Sequence, residues 1–378
     1  MRRELQESRP NYKEKIEQLG LSFHTVDDLP YWFEGAAYQF EKNEIEELEA
    51  ATNQLHELCL SAVERVIETQ DFERLGIPKA AWHAITKAWD DDPPAIYGRF
   101  DLVYDGSGPP KLLEYNADTP TSLLEAAVIQ WYWLQEVKPD SDQFNSIWEG
   151  LVEKWRALKD EGFMPSGLVH FACIDFAEDL MTTAVMMDTA HEAGLNVQLN
   201  WMQEISWNDD THQFMDPEQR PIETLFKLYP WEVMVEEEFG PLALKTYPKL
   251  NWIEPIWKMV MANKGILAVL WEMYPNHPNL LPCYLDGPRD MTSYVRKPFF
   301  GREGANVTIV DPKVNAHIDG DYESGPFAYQ QYCPVPVFDG NHAIVGSWVI
   351  DSEARGIGIR ESDGPITQNL ARFVPHYF

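Results

Sequence analysis

Apolar residues recur at three- and four-residue intervals through residues 43–70, NEIEELEAATNQLHELCLSAVERVIETQ, and predict one long amphipathic helix. PKAAWHAITKAWD, residues 78–90, predicts a shorter helix, and PTSLLEAAVIQWYWLQEV, residues 120–137, another whose aromatic stripe reads as core packing. The period then changes. GLVHFACIDF (167–176) is a buried-strand run, TTAVMMDTAHEAG (182–194) a helix closed by Gly194, and LNVQLNW (195–201) a second strand, which together make a βαβ unit. Residues 252–273, WIEPIWKMVMANKGILAVLWEM, read as one further helix with Lys264 inside an apolar run. A lysine there must meet an anion or reach solvent. From AYQQYCPVPVF through GSWVIDSEARGIGIRESD the chain alternates strands and turns, with Arg360 on a strand. The pattern predicts a mixed α/β (α+β) protein.

Strand alternation carries the first chemistry. YGRFDLVYDGSGPPKLLEYNAD, residues 97–118, predicts two strands joined by a Gly/Pro-rich turn. Alternate side chains share a face, so Arg99 and Asp101 point one way and Phe100, Leu102 and Tyr104 the other. Closing the hairpin about DGSGPP sets Asp101 opposite Glu114 and Arg99 opposite Asn116. Two carboxylates and an amide oxygen at cross-strand distance repel unless a cation neutralises them. Three hard oxygen donors suit Mg²⁺, which keeps positions for water and phosphate. The alternative is a solvated hairpin whose charges balance as surface pairs.

A second segment, YVRKPFFGREGANVTIV (294–310), predicts strand, glycine-flanked loop, strand, with Lys297 ending the first strand. Gly301 and Gly304 let the backbone approach a ligand, and their N–H groups suit an anion. Arg302 can fork onto a phosphate. The segment matches neither GxxxxGK[ST] nor a GxGxxG opening a helix. Beside a Mg²⁺-type hairpin, ATP explains both features with one ligand. Glu178 and Asp179 sit at a strand-to-helix turn, where ligands collect in open α/β sheets, although acids at a helix N-terminus need no ligand.

Charge narrows the partners. With 61 acidic against 30 basic side chains, the formal charge of −31 disfavours nucleic acid and anionic membranes. It suits a solvated acidic surface and is compatible with a cationic amine substrate. No apolar run reaches the roughly 18 residues of a membrane span, and the start lacks the apolar core of a secretory signal, so a cytoplasmic location is expected. Cys59, Cys173, Cys283 and Cys333 are scattered, with no zinc spacing, and are expected to be reduced. Oligomeric state is left open.

In order along the chain stand R-x-D, EYNAD, NKGILAVLW, K-P-x-x-G-R-x-G-x-N, YQQ and GIGIR. This series, from near Asn11 to Phe378, resembles the synthetase part of the glutathionylspermidine synthase family, an ATP-grasp-like group of C–N ligases. In make-up the chain is most similar to stand-alone bacterial members that lack the amidase domain. The resemblance implies ATP-grasp-like nucleotide and Mg²⁺ lobes from residues 1–118 and 255–378, and a pre-ATP-grasp-like substrate lobe from 119–254. It implies amide formation between a small-molecule acid and an amine through an acyl phosphate. Mg²⁺ would sit on Asp101, Glu114 and Asn116. ATP would be held by Arg99, Phe100, Asp101, Lys264, Lys297, the loop Gly301, Arg302, Glu303, Gly304, and the adenine-side run Gln330, Gln331, Tyr332, Cys333. Arg99, Arg302 and Arg360 match arginines that face the reacting phosphoryl group and acyl phosphate. Thr119, Glu178 and Asp179 fall in the substrate region. Where the bifunctional enzyme has a serine and a threonine at its glutathione site, this chain has Thr119 and Leu228, so the substrates are expected to differ. The same scaffold without ligation, as an ATP-hydrolysing or nucleotide-sensing protein, is the competing expectation.

Overall fold

The computed structural model describes residues 1–368 and 371–378. Helix α1 (Lys42–Thr69) opens with Glu44 accepting the Glu41 N–H, a capping box. Its Ile45, Leu48, Leu55, Cys59, Ala62, Val63 and Val66 are buried at helical spacing. A 3₁₀ turn leads into α2 (Trp82–Asp91), and then strands β1 (Tyr97–Val103) and β2 (Lys111–Asn116) form the hairpin. Helices α3 (Gln130–Val137) and α4 (Ile147–Asp160) follow. The stretch 120–137 is not one regular helix: Glu125–Ile129 form a π turn before α3.

Next comes the unit β3 (Leu168–Cys173), α5 (Ala177–Glu192), β4 (Asn196–Trp201), then β5 (Thr224–Leu228) and β6 (Asn251–Ile253). These four strands make an all-parallel sheet in the order β6-β5-β3-β4.

The single helix expected over 252–273 is not formed. Trp252 and Ile253 belong to β6, and two short helices follow, α6 (Lys258–Met261) and α7 (Ile266–Met273). Pro255 disfavours helix in the residue before it. Between the short helices the Asn263 side chain accepts the Gly265 N–H, and the Lys264 N–H donates to the Phe299 carbonyl. A side-chain acceptor and a partner on another element thus replace the helical ladder. Apolar burial on several sides had masked the break.

Strands β7 (Cys283–Tyr284), β8 (Tyr294–Pro298), β9 (Thr308–Val310), β10 (Asn315–His317) and β11 (Phe327–Gln331) form an antiparallel sheet ordered β7-β11-β8-β9-β10. Strands β12 (Val337–Phe338), β13 (Asn341–Ile350), β14 (Glu353–Ser362) and β15 (Arg372–Val374) join the hairpin in a six-stranded sheet ordered β15-β14-β13-β1-β2, with β12 also paired to β13. Strand β1 is therefore interior to a sheet, with β13 on one side and β2 on the other, and all seven of its residues are buried. Helix α1 packs against this sheet, and against α7.

Candidate active site

The hairpin register pairs Asp101 with Glu114 and Arg99 with Asn116. It is not a solvated surface hairpin: Phe100 and Leu102 lie in the core, and Arg99 and Asp101 are only 6% and 7% exposed. The start of β1 is fixed by a buried ion pair. The Glu254 carboxylate accepts the N–H groups of Ile96 (3.0 Å) and Tyr97 (3.2 Å), and its partner Lys258 donates to the Tyr97 carbonyl at 2.7 Å. Truncating either member leaves the other charge buried and uncompensated, which typically costs about 3–5 kcal/mol.

Arg99 donates from Nε to Asp101 at 2.8 Å and from Nη1 to the Thr121 carbonyl at 2.8 Å. Glu114 meets Lys264 at 3.2 Å, and the Asn116 amide nitrogen donates to Glu114, which leaves the Asn116 carbonyl oxygen for a cation. Burial pushes the Glu114 carboxyl up, but Lys264 and Lys297 outweigh it and hold the group near 2, so it is ionised at neutral pH. Burial lowers the Lys297 ammonium to about 8 against the pull of Glu114. Lys297 donates to the Leu113 carbonyl (2.9 Å) and to Gln330 (2.7 Å). The Gln330 amide donates in turn to the Leu112 carbonyl at 2.9 Å, so its side chain positions the lysine and has little left for a base.

Lys264 also donates to the Gly301 carbonyl at 2.6 Å and so ties the hairpin to the glycine loop. In that loop Glu303 and Gly304 have φ of 54° and 75°. A side chain at 304 would also collide with Ile366 and Thr367 within about 3 Å, so this position needs glycine on both counts. Arg302 donates to Thr119 (3.1 Å) and to Glu232 (2.6 Å).

These groups line one cavity of about 580 Å³. It receives Arg99, Asp101, Glu114, Asn116, Thr119, Glu178, Asp179, Lys264 and Lys297. From the later segments it receives the loop 301–304, Gln330, Gln331, Tyr332, Cys333 and Arg360. Of the residues assigned to the site from the sequence, Phe100 alone does not line it. Its ring stacks on Tyr115 at 3.7 Å on the core face of the hairpin, as the alternation of the strand requires. Apolar side chains of Leu113, Val295, Ile309, Val335 and Ile344 form a slot beside the 330–333 run.

Thr121, whose carbonyl accepts Arg99, donates its hydroxyl to Glu178. Burial, reinforced by the Glu178 charge, raises the Asp179 carboxyl to about 7. Three lining residues escaped the sequence reading. Asp118 is a buried partner of Lys227 (2.8 Å) and accepts the Trp231 N–H (3.0 Å), fixing the 227–231 segment to the end of β2. Glu232 pairs with Arg302, and Thr121 with Glu178. Asp118 closes the EYNAD motif and was open to recognition; Glu232 and Thr121 gave no local signal.

Mg²⁺ fits this donor set. An ionised Glu114, the Asn116 carbonyl oxygen and the Asp101 carboxylate are hard oxygens around one point of the sheet, and Arg99 and Lys264 occupy the carboxylates in its place. Among the described residues no group of three or more His, Cys, Asp or Glu side chains forms a metal cluster.

The chain is 38% identical, over 98% of both proteins, to a Haemophilus influenzae protein named "Putative acid--amine ligase". It is 29% identical to Trypanothione synthetase of Crithidia fasciculata, over 83% of this chain and 52% of that one. It is 26% identical to the Bifunctional glutathionylspermidine synthetase/amidase of Escherichia coli, over 93% of this chain and 60% of that one. The chain thus spans the first relative but little more than half the length of the other two. With a cavity that gathers the ordered motifs, and a family model matching residues 3–378, the chain belongs to the glutathionylspermidine synthase preATP-grasp family.

Proposed function

We propose that the protein is an ATP-dependent acid–amine ligase that joins a small carboxylic acid to an amine through an acyl phosphate. The observation that carries this reading is one cavity lined by the hairpin's hard oxygens, by Lys264 and Lys297, and by the carboxyl groups of Glu178 and Asp179, in a chain whose relatives are named for acid–amine ligation and for trypanothione and glutathionylspermidine synthesis. Residues 1–118 and 255–378 would form the nucleotide region and residues 119–254 the substrate lobe.

A carboxylate has no usable leaving group, so it must first be activated. A carboxylate oxygen of the acid attacks the γ-phosphorus of ATP and ADP departs. The amine, having lost a proton, then attacks the acyl carbon, and inorganic phosphate leaves as the amide forms. The work left to the chain is positioning and charge stabilisation. Lys264 and Lys297 hold the phosphates, and the 301–304 loop covers them. Gln330, Gln331, Tyr332 and Cys333 border the base beside the apolar slot. Asp101, Glu114 and Asn116 would hold Mg²⁺, which when bound offsets charge on the transferring phosphoryl group. Arg99, Arg302 and Arg360 meet the charge of the phosphoryl and acyl-phosphate oxygens. Glu178 and Asp179 face the amine, and Thr119, held by Arg302, lies on the acid side.

The test is ATP turnover with a panel of acids and amines, read by ADP formation and product mass. ADP that appears only with both substrates, together with a new amide, is the expected result. Turnover independent of the amine would favour hydrolysis, and tight nucleotide binding without turnover would favour a sensor.

A further inference from the structure

Nine large hydrophobic residues are prominently exposed among the described residues, and three of them line this one cavity: Ile174 (41%), Phe176 (45%) and Val233 (39%). Scattered exposed apolar residues are ordinary, but clustering on the wall of a functional cleft marks a binding surface. Their placement is local and specific. Ile174 and Phe176 bracket the turn between β3 and α5, closed by the Phe176 N–H on the Ile174 carbonyl at 2.8 Å. Two residues beyond Phe176 come Glu178 and Asp179. Leu228, buried at the end of β5, adds hydrocarbon to the same lining, and Val233 stands beside Glu232, whose carboxylate Arg302 already occupies.

A ligand entering here meets two carboxyl groups and the side chains of Ile174 and Phe176 within residues 174–179, with Leu228 and Val233 on the same lining from another segment. We infer that the amine substrate is amphiphilic, with one ammonium group against Glu178 and Asp179 and an apolar alkyl or aryl body on Ile174, Phe176, Leu228 and Val233. The inference rests on the ligase reading for the amine's fate, and on the cavity wall alone for its chemistry. Glu178 and Asp179 line the cavity side by side at the start of α5, which gives the head group its place. A polyamine presents a second ammonium a few carbons on. These apolar side chains would strip water from that charge without replacing it.

Calorimetric titration of the full-length protein with 2-phenylethylamine, ethanolamine and spermidine tests this directly. 2-Phenylethylamine is expected to bind about tenfold more tightly than ethanolamine, the effect of roughly 55 Å² of apolar surface leaving water. Phe176→Ser, at an exposed position whose retained fold a thermal melt verifies, should remove most of that advantage and leave ethanolamine unchanged. Glu178→Gln should weaken both. Equal or tighter binding of spermidine, no change in Phe176→Ser, or no binding of any amine would overturn the inference. The ligase reading fails separately, if no acid and amine pair yields ADP and amide while the amine affinities stand.

Discussion

Two parts of the cavity lining, the hairpin with its lysines and the start of α5, are built on opposite plans. At the hairpin the charges are already matched within the protein: Arg99 to Asp101, Lys264 to Glu114, and Lys297 to Gln330 and a carbonyl. Arg99 and Asp101 stand on the interior strand β1, whose start is fixed by Glu254 and Lys258. Glu114 stands on the edge strand β2, Lys297 on the interior strand β8, and Lys264 on the turn between α6 and α7. At the start of α5 Glu178 and Asp179 crowd one another, and hydrocarbon stands in the open beside them. A site whose charges are paired in advance needs little reorganisation when a highly charged ligand exchanges for those pairs. A pair of adjacent carboxyl groups, one of them held protonated up to about pH 7, gains from a cation as it ionises. The first plan suits a highly charged ligand, the second a cationic one.

The comparison breaks first at Glu114. Glu114→Ala removes a hard-oxygen donor and leaves Lys264 and Lys297 facing each other, so turnover should fall by about 10³-fold or more, and the melting temperature should drop while the fold is retained. Wild-type turnover would remove the hairpin from metal binding. Arg99→Ala should lower kcat by roughly 10²–10³-fold while Mg·ATP affinity stays within several-fold, because the contact is made mainly in the transition state. Lost nucleotide affinity as the main defect would recast Arg99 as a structural partner of Asp101.

A smaller effect sharpens the comparison at α5. The Asp179 carboxyl keeps its proton up to about pH 7, well above its ordinary range near 4. The folded state therefore binds this proton more tightly than the unfolded state. Stability from this group is full below about pH 4 and is lost as pH rises through 7, where the carboxylate becomes available. Affinity for a cationic amine should rise about tenfold through pH 7, and Asp179→Asn should flatten that step; titrations from pH 5.5 to 8.5 check it. The smallest effect falls on the glycine loop. Mg·ADP should slow hydrogen exchange over residues 299–306 by several-fold, because phosphate contacts hold glycine backbone that is otherwise costly to order.

Much of this was legible where periodicity and chemistry agreed. The hairpin faces follow from alternation, and α1 and the β3-α5-β4 unit from the change of period. What escaped was decided by distant partners. The 252–273 stretch is apolar enough for a helix, yet Trp252 and Ile253 pair with β5 and the Lys264 amide with Phe299. The π turn at Glu125–Ile129 has no signature in a pattern that scores only spacing. Phe100 sits between two cavity residues in sequence and on the far side of the sheet in space. Glu232 gains its partner, Arg302, from a loop seventy residues away, which no local pattern can announce.

The interior position of β1 has a consequence for how the protein comes into being. Asp101 lies opposite Glu114 across a short turn, but opposite Gly346 on its other side. A ribosome adding roughly 5–20 residues per second releases the hairpin many seconds before β13 exists. Until then the outer edge of β1 is an open row of donors and acceptors, a template for pairing with the wrong chain. Closing so distant a pairing is slow, since the loop entropy is lost before the contact rewards it. The strand that carries Arg99 and Asp101 is thus among the last to be sealed, and a chain stalled before residue 341 would hold these two residues on an exposed, aggregation-prone edge.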